Sequence, residues 1–384
     1  MIQGVENVRQ CHPTAWCARA PRDGAMMHTP FLLAALEEAR LGRGSCAPNP
    51  SVGAVAVKDN QIIAHAYHHG PGTLHAEPMV LSQFPAHTSG VTLYVTLEPC
   101  NHWGRTPPCV EAIIRHGIER VVYAYADPHP IIRAHDTRQW LLDHHIEVVH
   151  APVDAIDAFY ESYAYWCRTH QPWVSAKIAQ SLDGKIADEH GQARQLSNAL
   201  CYEFTHQQRQ ACDVILTSAK TIVRDDPLLN VRLPDKTQSK VLAVIDQSLT
   251  LPRDARVLQQ ALTTHVYHDQ NKTPVSIHPR CVYHPMPLNT QGQMDLREVL
   301  SHLGHLGYHD VWVEAGGQLF SALHHLGLVH QTYIYLTPQI IGEAGVPAYH
   351  ETSLFQRQHQ ITWQPRGDNM IMSIRWEEEK CLQD

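Results

Sequence analysis

The chain has no apolar run approaching the ~20 residues needed to span a bilayer. Its opening stretch, "MIQGVENVRQCHPTAWCARA", also lacks the apolar segment of a signal peptide. Neither membrane insertion nor export is expected. Basic residues are not in excess either: the net charge is −8, so no global field draws the protein to nucleic acid or to an anionic membrane. A local cationic pocket for a small phosphorylated ligand stays compatible with that balance. The ten cysteines lack the tight spacing of a disulfide scaffold, which fits a reducing cytoplasm. Internal repeats and low-complexity tracts are missing as well. What is present is ordinary for a folded chain: 43% hydrophobic and 18% charged residues over 384 positions, enough for two or three domains with real cores. The 29 histidines give any single imidazole little weight.

Residues 1–26 read as a disordered extension ahead of "MMHTPFLLAALEEARLG", which would serve as a natural start; Cys11, His12 and Cys17 are given no metal role there. "FLLAALEEARLG" repeats apolar residues at helical spacing and stops at Gly42. "SVGAVAVKDNQIIAHAYH" alternates around Asp59-Asn60 and reads as a hairpin. A helix is expected from His75 to about Phe84, then a buried strand "VTLYVTL". A second helix should run from Cys109 to His116 and close at Gly117. "RVVYAYA", "TRQWLLDHH" and "IEVVHA" continue as strand, helix and strand, so residues 27–151 form one layered α/β domain. Residues 152–170 read as an amphipathic connecting helix, and residues 171–384 as a second α/β domain. Its expected strands are "WVSAKIA", "CDVILTS", "KVLAVID", "DVWVEAG" and "QTYIYLTPQII", with helices near 198–211, 294–306 and 317–327. The span 233–287 is rich in turns and carries no assignment.

His75, Cys100 and Cys109 bring one imidazole and two thiolates, ligands that Zn2+ accepts, with a fourth position left for water. A structural four-ligand site using His102 stays open beside that reading. Glu77, two residues from a ligand, favours the catalytic one, because a carboxylate there reaches a metal-activated water and shuttles its proton. Inside a helix, positions i and i+2 point apart, so the pair converges only at a helix mouth. "PPC" likewise sets Cys109 at a helix N-terminus, where the dipole favours a thiolate. HAE with PC and a second Cys matches the zinc deaminase signature, although eight residues separate Cys100 from Cys109 here instead of two.

"APNPSVGAVAVKDNQIIAHAYHHGPGTLHAE" and "TLEPCNHWGRTPPCVEAII" resemble the bifunctional pyrimidine deaminase/reductase family of riboflavin biosynthesis, and the likeness runs from about Phe31 onward. The resemblance implies a cytidine-deaminase-like three-layer α/β/α domain followed by a dihydrofolate-reductase-like α/β domain. It implies a phosphorylated pyrimidine ribotide as substrate, Glu77 as the catalytic proton carrier, and Asn49, His68, His102 and Arg105 as contacts to ring and phosphate. In the second half, "AKIAQSLDGKIA", "ILTSAKTIVRDDPLLNVR" and "VEAGGQLF" carry the likeness. By resemblance, NADPH lies across Ala179, Gln195, Thr221, Asp225, Gly316 and Gly317, and Lys177, Arg209, Leu229, Arg232 and Glu314 hold the substrate. A homo-oligomer is implied too.

Several positions depart from the family pattern. His129 replaces an Asn in "DPHPIIRAHD", and Ala134 and Asp136 replace glycines. Ala193 and Gln195 replace Ser and Trp, and Gln247 stands where Ser or Thr is usual. Two alternatives follow: an active deaminase with a degenerate, structural reductase domain, or a divergent paralogue acting on a related pyrimidine ribotide.

Overall fold

The computed structural model describes residues 23–104, 107–191, 195–349 and 357–377. The first domain is built on strands β1 (Gly53–Lys58), β2 (Gln61–Tyr67), β3 (Thr92–Leu97), β4 (Arg120–Tyr125) and β5 (Glu147–His150). Around them lie α1 (Asp23–Gly42), α2 (Ala76–Leu81), α3 (Cys109–His116), α4 (Pro130–Arg133), α5 (Thr137–Asp143) and α6 (Asp154–Thr169). The sheet order is β2-β1-β3-β4-β5; β1 is antiparallel to both neighbours, and β3, β4 and β5 run parallel. Asp59 and Asn60 take φ of 49° and 62° between β1 and β2, the left-handed pair that a tight hairpin requires.

Alternation along the strands sorts the two faces. Ala54, Ala56, Leu93, Val95, Val121 and Tyr123 pack with Val80, Val110, Ile113 and Leu141 of α2, α3 and α5. Val55, Val57, Tyr94, Val122 and Ala124 pack with Leu32, Leu36, Ile156, Phe159 and Tyr160 of α1 and α6. The central strands β1, β3 and β4 are therefore buried on both sides, which makes three layers.

The second domain continues with β6 (Trp173–Ser181), β7 (Lys185–Ala187), α7 (Ala199–Ala211), β8 (Val214–Ser218), α8 (Ala219–Asp225), β9 (Val231–Leu233), β10 (Lys236–Gln238) and β11 (Val241–Ile245). Then come α9 (Arg256–Gln260), β12 (Thr264–Asp269), β13 (Cys281–Met286), α10 (Leu296–His305), β14 (Asp310–Glu314), α11 (Gly317–His325) and β15 (Gln331–Thr337). The described chain closes with β16 (Val346–Pro347), β17 (His359–Arg366) and β18 (Asn369–Trp376). Nine of these strands form one sheet in the order β13-β12-β11-β8-β14-β6-β15-β18-β17. It is parallel from β13 to β15 and antiparallel at the β15–β18–β17 end. No helix among the described residues is long and apolar enough to cross a membrane.

Four expectations change. The extension assigned to residues 1–26 is helical in its last four positions, because α1 begins at Asp23 and carries Pro30 inside it; residues 1–22 lie outside the described residues. The helix expected to reach Phe84 ends at Leu81, capped at Ser82. The unassigned span 233–287 holds three strands of the main sheet, β11 to β13. β12 reads "THVYHD" yet is buried along its whole length, since its two histidines and Asp269 find partners. His265 bonds His284 Nε2 at 2.9 Å and Tyr308 Oη at 3.1 Å, and His268 bonds Asp269 O at 2.9 Å. Finally, α8 and the β17–β18 hairpin were not anticipated.

Buried imidazoles set an acid limit on this domain. Burial pushes His206, His265, His284 and His324 down to about 4, and His330 to about 3. An unfolded histidine titrates near ~6.5, so the unfolded chain takes up protons first as the pH falls. Stability is therefore complete above ~6.5 and is lost progressively towards ~4. The urea midpoint of the second domain should be clearly lower at pH 5 than at pH 7.5; an unchanged midpoint would contradict these burial-driven shifts.

Candidate active sites

His75 is the N-cap of α2, with φ −69° and ψ 166°, and the chain turns helical at the next residue. That entry turn brings His75 and Glu77 to the same pocket, as a regular helix would not. Cys109 is the first residue of α3 after Pro107 and Pro108. His75 Nδ1 lies 3.2 Å from Cys109 Sγ and 3.6 Å from Cys100 Sγ, and all three donors fall within 4.8 Å of one another. Tetrahedral zinc with ordinary bond lengths places such donors about 3.5 Å apart, so the cluster fits the ion in both size and donor chemistry. The Cys109 amide donates to Cys100 Sγ at 3.3 Å. A hydrogen bond from Cys109 pulls the Cys100 thiol down to about 4, while burial pushes the Cys109 thiol up. A bound cation would displace the thiol protons from both sulfurs.

Glu77 is 3% exposed, and burial followed by the Cys100 charge raises its carboxyl to about 7. It faces a cavity of about 310 Å³ that His75, Cys100, Asn49, His68 and His102 also line. His68 Nδ1 lies 3.0 Å from the Leu74 carbonyl, so that nitrogen carries the proton; Nε2, 3.1 Å away, accepts from Asn49 Nδ2. Burial lowers the His68 pKa and keeps the ring neutral. His102 stands in the pocket wall and is not one of the three clustered donors; its Nδ1 is buried without a partner. Arg105 lies outside the described residues.

Three further wall residues escaped the sequence reading: Glu98, Asp127 and Tyr163. Asp127 Oδ1 accepts from the His129 amide at 2.9 Å and from Tyr163 Oη at 3.1 Å. Burial raises Asp127 to about 6 and also raises Glu98. An acid at the end of each of two neighbouring strands, in "LEP" and "ADP", was the available signal. His129 lines the cavity and caps α4. Ala134 and Asp136 have φ of −73° and −83°, which any L residue adopts, so the missing glycines impose no strain.

The second domain opens a cleft of about 1740 Å³ at the C-terminal ends of β6, β8, β11 and β14. Lys177, Ala179, Gln195, Arg209, Thr221, Asp225, Leu229, Glu314, Gly316 and Gly317 all line it. Gly316 caps α11 and Gly317 opens it. A Cβ on Gly317 would lie 2.7 Å from the Ala348 carbonyl, whereas one on Gly316 would meet nothing within 4 Å. Only Gly317 is required for close packing; Gly316 leaves the helix N-terminus open to the cleft. Arg209 and Glu314 form a buried two-pronged pair, Nε to Oε1 at 2.5 Å and Nη2 to Oε2 at 2.8 Å. Arg209 Nη1 donates to Asn230 O, and Trp312 Nε1 to Glu314 Oε1. Burial alone would raise the Glu314 carboxyl, but the Arg209 charge and hydrogen bonds outweigh it and hold it at about 2. The Lys177 ammonium lies 5.0 Å above the Tyr335 ring.

Arg232 stands one residue back from the cleft: its guanidinium bonds the Asn230 side chain and the hydroxyl of Tyr202, which is in the wall. Gln247 lines the cleft and donates to Gly292 O at 2.8 Å; Ala193 lies outside the described residues.

A three-donor N/S2 cluster beside a buried carboxylate, on a three-layer sandwich, defines a zinc-dependent deaminase; the fused domain, with its helix N-terminus open to a large cleft, has the form of a reductase. Comparison with known proteins agrees domain by domain. Residues 26–125 match the cytidine and deoxycytidylate deaminase zinc-binding region, and residues 172–372 match the RibD C-terminal domain. Riboflavin biosynthesis protein RibD of Aquifex aeolicus is 33% identical over 316 residues, covering 82% of this chain and 87% of that protein. The Bacillus amyloliquefaciens protein is 32% identical over 334 residues, with 86% and 90% covered. The solved structure of Acinetobacter baumannii RibD aligns with a TM-score of 0.81 at 27% identity, covering 92% of this chain and all of that one. The Thermotoga maritima deaminase/reductase gives 0.80 at 27% identity, also with 92% of this chain covered. The chain belongs to the RibD family of riboflavin biosynthesis. It is a bifunctional enzyme that catalyses a deamination and a reduction in that pathway.

Proposed function

We propose that the protein deaminates 2,5-diamino-6-(5-phosphoribosylamino)pyrimidin-4(3H)-one and then reduces the ribosyl group of the product to ribityl with NADPH. The observation that carries the first step is the convergence of His75, Cys100 and Glu77 on one small cavity, with Cys109 completing the donor cluster behind it. His75, Cys100 and Cys109 would hold Zn2+, which when bound acts as a Lewis acid that makes water nucleophilic at neutral pH. Glu77, buried beside the donor cluster, accepts a proton from the attacking water and returns it to the departing amine. Asn49 and His68, locked together by their hydrogen bond, and His102 orient the pyrimidine; Arg105 is assigned to the phosphate.

NADPH would occupy the large cleft against Ala179, Gln195, Thr221, Asp225 and the Gly316–Gly317 helix start, where it supplies the hydride. Lys177, Leu229 and Glu314 face the substrate. Arg209 acts through Glu314, whose carboxylate it fixes. The size of this cleft favours a working reductase over a purely structural domain. Functional units at 27–151 and 171–384, joined through 152–170, agree with the separate sheets, and a cytoplasmic homo-oligomer is part of the same proposal.

Purified protein given the diaminopyrimidine ribotide and NADPH should release ammonia first and then oxidise NADPH. Ammonia without NADPH oxidation would confine the chain to deamination. Failure to rescue a riboflavin auxotroph would instead point to a different ribotide.

A further inference from the structure

Part of the deaminase pocket is held by groups that its own sheet does not supply. Tyr163 and Trp166 come from α6, and behind them passes the loop that joins α10 to β14 of the reductase domain. Trp166 Nε1 donates to Gly304 O at 2.8 Å. The His309 ring lies 4.4 Å from that of Trp166 and 5.2 Å from that of Tyr163, and His309 is 5% exposed. Tyr163 in turn holds Asp127 Oδ1, which also fixes the His129 amide, and all three residues line the pocket. The same loop touches another part of the wall. Gly307, at φ +88°, sits so close to Pro48 that an added Cβ would lie 2.5 Å from the Pro48 Cβ. Pro48 and Asn49 belong to that wall.

The loop is itself anchored from both domains. Asp213 Oδ2 accepts the amides of His309 at 2.8 Å and Asp310 at 3.0 Å. The Asp310 carboxylate accepts from Ser162 Oγ at 2.9 Å and pairs with Arg43 at 3.3 Å. Lys240 donates to Gly44 O at 2.8 Å and Gln238 to Ser45 Oγ at 3.0 Å, close to the Pro48 wall in sequence.

We propose that the α10–β14 loop of the reductase domain is a positioning element of the deaminase site. It fixes the Asp127–His129 wall through His309, Trp166 and Tyr163, and the Pro48–Asn49 wall through Gly307. The proposal rests on the deaminase reading given above. Both walls are loop segments, and a loop displaced by about 1 Å is enough to spoil substrate placement. His309 and Trp166 touch neither the cavity nor the reductase cleft, so they act only through the residues they hold. Fusion of the domains thereby serves the first reaction as well as the second.

His309→Ala should raise the deaminase KM roughly tenfold with kcat little changed. His309→Phe, which keeps a flat ring between Trp166 and Tyr163, should restore it. Trp166→Phe, which removes the hydrogen bond to Gly304 O and trims the ring packed on His309, should move KM in the same direction and serves if His309→Ala does not fold. NADPH-dependent reduction of the deaminated substrate should match wild type in each folded variant. Unchanged deaminase KM, or a parallel fall of both activities and of Tm, would overturn the inference alone. A wild-type protein that releases no ammonia would overturn the functional reading and this inference with it.

Discussion

Replacement of Glu77 by glutamine is expected to lower the deaminase kcat by roughly 10²- to 10⁴-fold, the usual contribution of a positioned general acid–base, while bound metal stays at the wild-type level. The side chain is almost fully enclosed and is not one of the three clustered donors. Glutamine keeps its size and polarity but has no proton to exchange. Cys100→Ser should behave differently and lose metal and deamination together, since two protein ligands hold zinc far less well than three. Ammonia release and metal analysis on the same preparations separate the cases. Glu77→Gln with near-normal turnover would reduce the cluster to a structural site. NADPH-dependent reduction of the deaminated substrate should be unaffected in both variants, because their positions line a separate cavity.

Arg209→Leu is expected to destabilise the reductase domain by about 3–5 kcal/mol, the cost of leaving one charge of a buried pair without its partner. Both Glu314 oxygens are held by Arg209, and the pair is about nine-tenths buried. The sign of the pH dependence follows from the depressed carboxyl. Glu314 stands at about 2 when folded and near ~4.3 when unfolded, so its stabilisation is present above ~4.3 and is lost as the pH falls towards 2. In the variant, burial without the guanidinium raises that pKa, and protonation relieves the unpaired charge. The gap in urea midpoint between wild type and Arg209→Leu should therefore be widest near pH 7 and should narrow below about pH 5. Arg209→Leu with Glu314→Leu should recover much of the stability yet remain without reductase activity. A single variant as stable as wild type would show that the pair is not what orders β14 against α7.

The deaminase half was largely legible in the sequence because its signals are local. Asp59-Asn60 demands a left-handed hairpin turn, Gly117 ends α3 in the left-handed conformation, and the Pro-Pro-Cys step sets a helix start. Chemistry followed the same local cues: His75 and Glu77 converge because a helix begins between them, and Cys109 because another begins at it. The reductase half was less legible. β12 carries two histidines and an aspartate where an interior strand would ordinarily be aliphatic; His284 and Tyr308, from other segments, satisfy His265, while His268 and Asp269 are satisfied by Asp269 O and Asn271. Arg232 and Arg209 looked alike as cations near a phosphate site. Position separates them: Arg209 meets Glu314 across α7 and β14, while Arg232 turns back to Tyr202 and Asn230.

By itself the sequence determined the His75, Cys100 and Cys109 cluster with Glu77 beside it, the order of the two α/β domains and the family. Each of these is set by residue type at short spacing, and backbone geometry near a turn or helix start leaves few alternatives. Only the tertiary structure decided which charges are spent on each other, that Glu98, Asp127 and Tyr163 complete the deaminase pocket, and that a reductase-domain loop presses on its walls. Those outcomes depend on pairs such as Tyr163 with Asp127, 36 positions apart, and Asp310 with Ser162, 148 apart. Separations of that size leave no periodic trace in a chain, because the contact is made by packing distant elements and not by the path of the backbone between them.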